Sequence, residues 1–183
     1  MTVRSFDSTH AVRFDLPTGS VRAENQADRL LLLPAAALLG LVASAPPEAA
    51  DDFGRALGHA VGLRTAARLG DRRDEASVEE FLTQLAGEAA LAGIGVLSIE
   101  RWGRALVVVV EQSSLIGSLL SPLVSAAIEA ASGRKASCML LAEDGAKARV
   151  LVASDRGIER VRGWMASGSA WGDALTKLHG GTA

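Results

Sequence analysis

The chain has 183 residues, 49% apolar and 22% charged, with mean hydropathy +0.23, which excludes a disordered chain and suits one buried core. Its 19 basic and 21 acidic residues leave a formal charge of −2, so no general attraction to nucleic-acid phosphates is expected. The single cysteine, Cys138, excludes an intrachain disulfide and a multi-cysteine metal site.

The N-terminus "MTVRSFDSTHAVRFD" has no apolar leader, and together with the lone cysteine it gives the expectation of a cytoplasmic protein. Alternating apolar and polar residues at Val12, Phe14 and Leu16, with turn residues at 17–20 and 24–26, predict short strands, the last ending in the leucines at 30–33. Residues 30–47 are uncharged, but Pro34 interrupts them and Pro46 and Pro47 stop them short of a membrane span. They read as a buried strand followed by a buried short helix, with no transmembrane segment.

A second helix is predicted from about residue 48 to 69, with Gly70 just past its end. Ser77 and Glu80 have capping-box spacing and open a third, whose stripe is Val78, Phe81, Leu82, Leu85 and Ala89. "GIGVLSIERWGRALVVVVEQ" predicts a hairpin with strands at 94–100 and 105–111, the second apolar at consecutive positions and so covered on both faces. Ser121 and Pro122 begin a helix that ends at Gly133. A second hairpin turns at "EDGA", and two short helices close the chain. The order predicts one α+β domain over residues 1–183: leader strands at 10–33, a core at 34–153 and C-terminal helices at 154–183. Hairpins in place of crossovers predict an antiparallel sheet of two hairpins packed with a helical layer.

Groups for catalysis are sparse. His10, His59 and His179 are scattered, and the acids at 111, 143 and 144 make no carboxylate pair. "GIG" opens a strand, without the helix that would cradle phosphate, and Ser113 and Ser114 lack a nucleophile elbow. Cys138 in mid-strand reads as a small core hydrophobe. No enzyme, metal or cofactor is expected.

Two features stand out. "FGRALGHAVGLRTAARLG" carries Gly54, Gly58 and Gly62, each costing a helix about 1 kcal/mol relative to alanine. A repeat of four places them on one narrow face, with His59 beside it. Such a face permits a close intramolecular helix crossing, a homodimer seam or an open apolar cavity; we assign it as a ligand-binding or dimer groove. At the first hairpin's tip, Trp102 lies between Arg101 and Arg104, residue types enriched in interface hot spots. It either contacts a partner or folds back on its own sheet.

The glycine-spaced helix, the second helix running into Gly93 and Gly95, the hairpin, the helix at 121–133 and the last hairpin together resemble the 4-vinyl reductase domain, bacterial relative of the trafficking (TRAPP) subunits. "FDLPTGSVRAENQADRLLLLP" resembles leader strands that precede this domain in some bacterial sensors. The resemblance spans roughly residues 14–155. It implies an α+β fold, a homodimer and often an apolar cavity for a hydrocarbon-like or acyl ligand. Cysteines common around that family's final hairpin are not matched by "CMLLAEDGAKARVL", so no metal or redox role is carried over. The "RWGR" hairpin also resembles that of the small D subunit of bacterial cellulose synthase, a ring-forming scaffold. The expected function is therefore a non-enzymatic regulatory or binding module that dimerises and takes an apolar small molecule or a protein partner. The alternative is a structural subunit of a larger homo-oligomer.

Overall fold

A computed structural model describes residues 5–24, 29–103, 105–113, 115 and 117–180. In chain order its elements are β1 (Val12–Asp15), β2 (Ser20–Ala23), β3 (Arg29–Leu30), α1 (Ala35–Ser44), α2 (Pro47–Leu69), α3 (Val78–Leu91), β4 (Val96–Trp102), β5 (Ala105–Glu111), α4 (Gly117–Ser132), β6 (Ser137–Asp144), β7 (Lys147–Ala153), α5 (Asp155–Ala166) and α6 (Trp171–Gly180). They form an α+β fold with two antiparallel sheets, ordered β1-β2-β3 and β4-β5-β7-β6.

The run "ALVVVV" explains the larger sheet. Side chains alternate faces along a strand, so Val108 and Val110 join one core with Leu85, Leu120, Leu123 and Val150, beneath α2, α3 and α4. Val107 and Val109 join the other, with Leu151, Ile158, Val161 and Leu175, beneath α5 and α6. The expected helical layer is thus matched by a second one on the opposite face. β5 and β7 lie in the middle, leaving β4 and β6 as edges.

Local chemistry sets the element ends. The Ser77 hydroxyl accepts from the Glu80 amide at 3.1 Å, capping α3, and Ser154 caps α5 by accepting from Gly157 at 3.3 Å. Glu80 makes only half of a capping box, because its carboxylate pairs with Arg72 at 2.9 Å. Glu88, 2% exposed, accepts from Arg64 Nε at 2.7 Å and from Arg68 Nε, locking α3 to α2. Arg68 also lies 4.3 Å above the Phe6 ring, which occupies the space that Gly87 leaves on α3. This packing ties the N-terminal segment to the helices.

Two expectations are corrected. Residues 30–47 are not buried: Leu31, Leu32 and Leu33 are 60–82% exposed, and Val42 is the one buried residue of α1. Apolar composition calls for a cover, and no described element of the chain supplies one. The helix expected to open at Ser121 begins at Gly117, with Pro122 inside it. A proline there forfeits one helical hydrogen bond, but its ring packs on the small face of α2 at Gly54. Among the described residues no helix is long and apolar enough to cross a membrane.

Candidate ligand-binding site

The face that the sequence offers as a groove is closed within the chain. A Cβ on Gly58 would overlap the Leu123 backbone, with the carbonyl carbon at 2.8 Å and Cα at 2.9 Å. One on Gly62 would lie 2.7 Å from the Ala130 Cβ, and one on Gly54 would lie 3.0 Å from Pro122 Cγ and 3.1 Å from the Leu119 oxygen. The glycines therefore serve a close crossing of α2 and α4, the first of the three outcomes, and the assignment of Gly54, Gly58 and Gly62 as a ligand or dimer groove is corrected. His59, next to them in sequence, is exposed.

Trp102 folds back. Its ring meets Trp171 of α6 edge to face, with centroids 5.0 Å apart, and its indole N–H donates to Glu100 at 3.1 Å. Arg101 points to the other side of β4 and pairs with Glu79 of α3 at 3.4 Å. Arg104 lies outside the described residues. The expected partner surface is thus divided between the two faces of the hairpin.

An open apolar depression of about 330 Å³ lies where α3 crosses the edge strand β4. Its walls are Leu82, Leu85 and Ala86 of α3, Leu97 and Ile99 of β4, and Val108 of β5, with Thr83 and Ser98 as the polar residues. The corner between α3 and β4 needs glycine, since Gly93 has φ +72° and Gly95 φ +132°. That corner lays α3 across a strand hydrogen-bonded on one side only. The Glu79–Arg101 pair links the same two elements one helical turn before Thr83 and two residues beyond Ile99. The Thr83 hydroxyl donates to the Glu79 carbonyl at 2.8 Å, leaving its oxygen able to accept from an occupant. Leu82 and Leu85 belong to the stripe legible in the sequence, but the gap beside them arises only from packing and has no sequence signal.

A polar cleft of about 520 Å³ lies between α2, α4, β6 and α5. Much of its polarity is already engaged. Lys135 donates to Asp155 at 2.9 Å, the Ser137 hydroxyl donates to the same carboxylate, and Glu129 accepts from the Ala136 amide at 3.0 Å. The Ser137 and Lys135 hydrogen bonds hold the Asp155 carboxyl below its ordinary value, and Asp155 raises the Lys135 ammonium in return. Burial, reinforced by the charge of Glu129, pushes the Cys138 thiol up to about 12, so it remains protonated and unreactive at neutral pH. Among the described residues no cluster of His, Cys, Asp and Glu has the arrangement to hold a metal ion.

No protein-family model matches the chain, and no curated protein matches its sequence. Its structure is similar to the crystal structure of the phenol-responsive sensory domain of the transcription activator PoxR with phenol. The TM-score is 0.62 at 17% identity, over 94% of this chain and 98% of that one. At that identity the likeness establishes a shared fold across nearly the whole chain.

Proposed function

We propose that the chain is a non-enzymatic sensory module that holds a small, mainly apolar molecule in the α3–β4 depression and works as a homodimer. The observation that carries this reading is the depression's wall: six apolar side chains with the Thr83 hydroxyl among them. Its volume lies at the lower end of the 300–1,000 Å³ usual for small-molecule pockets, which suits a single ring or a short hydrocarbon. The fold shared with a domain solved with phenol supports the same class of function. The finer kinship with 4-vinyl reductase domains rests on the order of elements and the glycine-spaced helix. The proposal of a dimer rests on the exposed leucines at 31–33 and Leu41, an apolar stretch that water solvates poorly and that a second copy would cover.

The test is calorimetric titration with phenol, benzoate and a short-chain alcohol series, against the native protein and Ala86→Phe. Saturable binding of an apolar compound by the native chain, weakened at least about tenfold in Ala86→Phe, is expected. The reading is overturned if no compound binds, or if the variant binds as well as the native protein.

A further inference from the structure

The N-terminal sheet is two-faced. Its register sets Phe14 beside Val21 and Val21 beside Leu30, and one residue along sets Arg13 beside Arg22 and Arg22 beside Arg29. Directly paired residues share a face of the sheet, so three arginines from three successive strands stand in one row, all exposed. Like charges directly opposite one another destabilise a sheet, and among the described residues no ion pair engages any of the three. The chain as a whole is acidic, with a formal charge of −2, yet here it concentrates cations.

The row lines a depression of about 350 Å³ together with Asp15, Thr18 and Ser20. Among the described residues that line it, three guanidinium charges stand against one carboxylate, Asp15, a balance of +2. The Thr18 and Ser20 hydroxyls hydrogen-bond one another at 3.1 Å at its wall; with Thr18 as the donor in that bond, the Ser20 proton is left to turn toward a ligand oxygen.

We propose that this face binds a compact multivalent oxyanion of the diphosphate kind. Guanidinium forks match phosphate oxygens bidentately, and a ligand with two or more negative charges offsets both the row's self-repulsion and the nearby Asp15. A monocarboxylate gains less, because it balances only part of the +2. The site is separate from the α3–β4 depression, and its chemistry is opposite: the one takes apolar surface, the other charge.

The experiment is calorimetric titration of the intact chain with inorganic pyrophosphate, at constant ionic strength, with ADP as a parallel arm. Saturable binding at or below about 1 mM is expected, weakened about tenfold or more in Arg22→Gln, which removes the middle of the row. Arg22→Gln also relieves repulsion, so its melting temperature is expected to equal or exceed that of the native chain. Equal affinity for both ligands indicates that the phosphates alone are read, and tighter binding of ADP indicates that a nucleotide is. Absence of saturation, a response reproduced by sodium chloride of equal ionic strength, or unchanged affinity in Arg22→Gln overturns the proposal.

Discussion

Trp102 at the end of β4 and Trp171 at the start of α6 meet edge to face, with ring centroids 5.0 Å apart and planes at 73°. Arg149 of β7 stands 5.2 Å over the Trp171 ring and reaches Glu100 with Nε at 3.2 Å and a terminal nitrogen at 3.3 Å. Two strands and a helix are thus tied by one cluster on the outer face of the sheet. An edge-to-face pair contributes about 1 kcal/mol beyond its buried area. A double-mutant cycle of Trp102→Ala and Trp171→Ala, read by denaturant unfolding, is expected to give a coupling of about that size. Strict additivity would mean that the two rings are neighbours without interacting.

The same cluster gives a pH dependence. Hydrogen bonding from Arg149 holds the Glu100 carboxyl below its ordinary 4.5 despite some burial, helped by the Trp102 indole and by the charges of Arg149 and Lys147. The folded state therefore gives up this proton more readily than the unfolded one. The resulting stabilisation is fully present above 4.5 and is lost as pH falls below that value through the lowered one. The stability difference between the native chain and Glu100→Gln is expected to be constant near neutrality and to shrink on acidification below pH 4.5. Parallel curves down to the acid transition would show that Glu100 is not the group responsible.

Glycine positions divide sharply by what faces them. At Gly58 a methyl group has no space, because the obstacle is the backbone of α4, which cannot rotate away. Gly58→Ala is expected to destabilise by about 3 kcal/mol or more, or to prevent folding. Gly163, inside α5, has nothing within 4 Å of the point where a methyl group would stand, and Gly163→Ala is expected to stabilise by about 0.5–1 kcal/mol through helix propensity. Thermal and denaturant unfolding of the two variants check both signs.

Local signals carried far into this fold, and pairings did not. The Ser77 cap, both hairpins and the double covering of β5 follow from neighbours in sequence, and all are present in the structure. The spacing of Gly54, Gly58 and Gly62 indicates that something approaches closely, but the occupant is α4, some 65 residues away, and spacing does not name it. Pro122 resembles a helix start because a first turn tolerates proline, whereas its ring is here needed to fill the face that the glycines open. The arginine row is invisible until register is known: Arg13, Arg22 and Arg29 are seven to nine residues apart and meet only across strands. The α3–β4 depression is harder still, since a gap between elements has no residue of its own.

The exposed leucines lead to the last prediction. Leu32 is 70% exposed and Leu41 68%, on a segment whose apolar run would ordinarily lie in a core. Nothing in the described chain covers them, and burying such side chains is worth roughly 1.5–3 kcal/mol each, so association of two copies gains from several at once. Light scattering is expected to give the mass of two chains for the native protein and of one chain for the double variant Leu32→Glu and Leu41→Glu. Because these side chains make little contact within the chain, circular dichroism of the variant is expected to retain the native helix content. A native protein that is monomeric at tens of micromolar, or a charged variant that remains dimeric, would remove this segment as the interface.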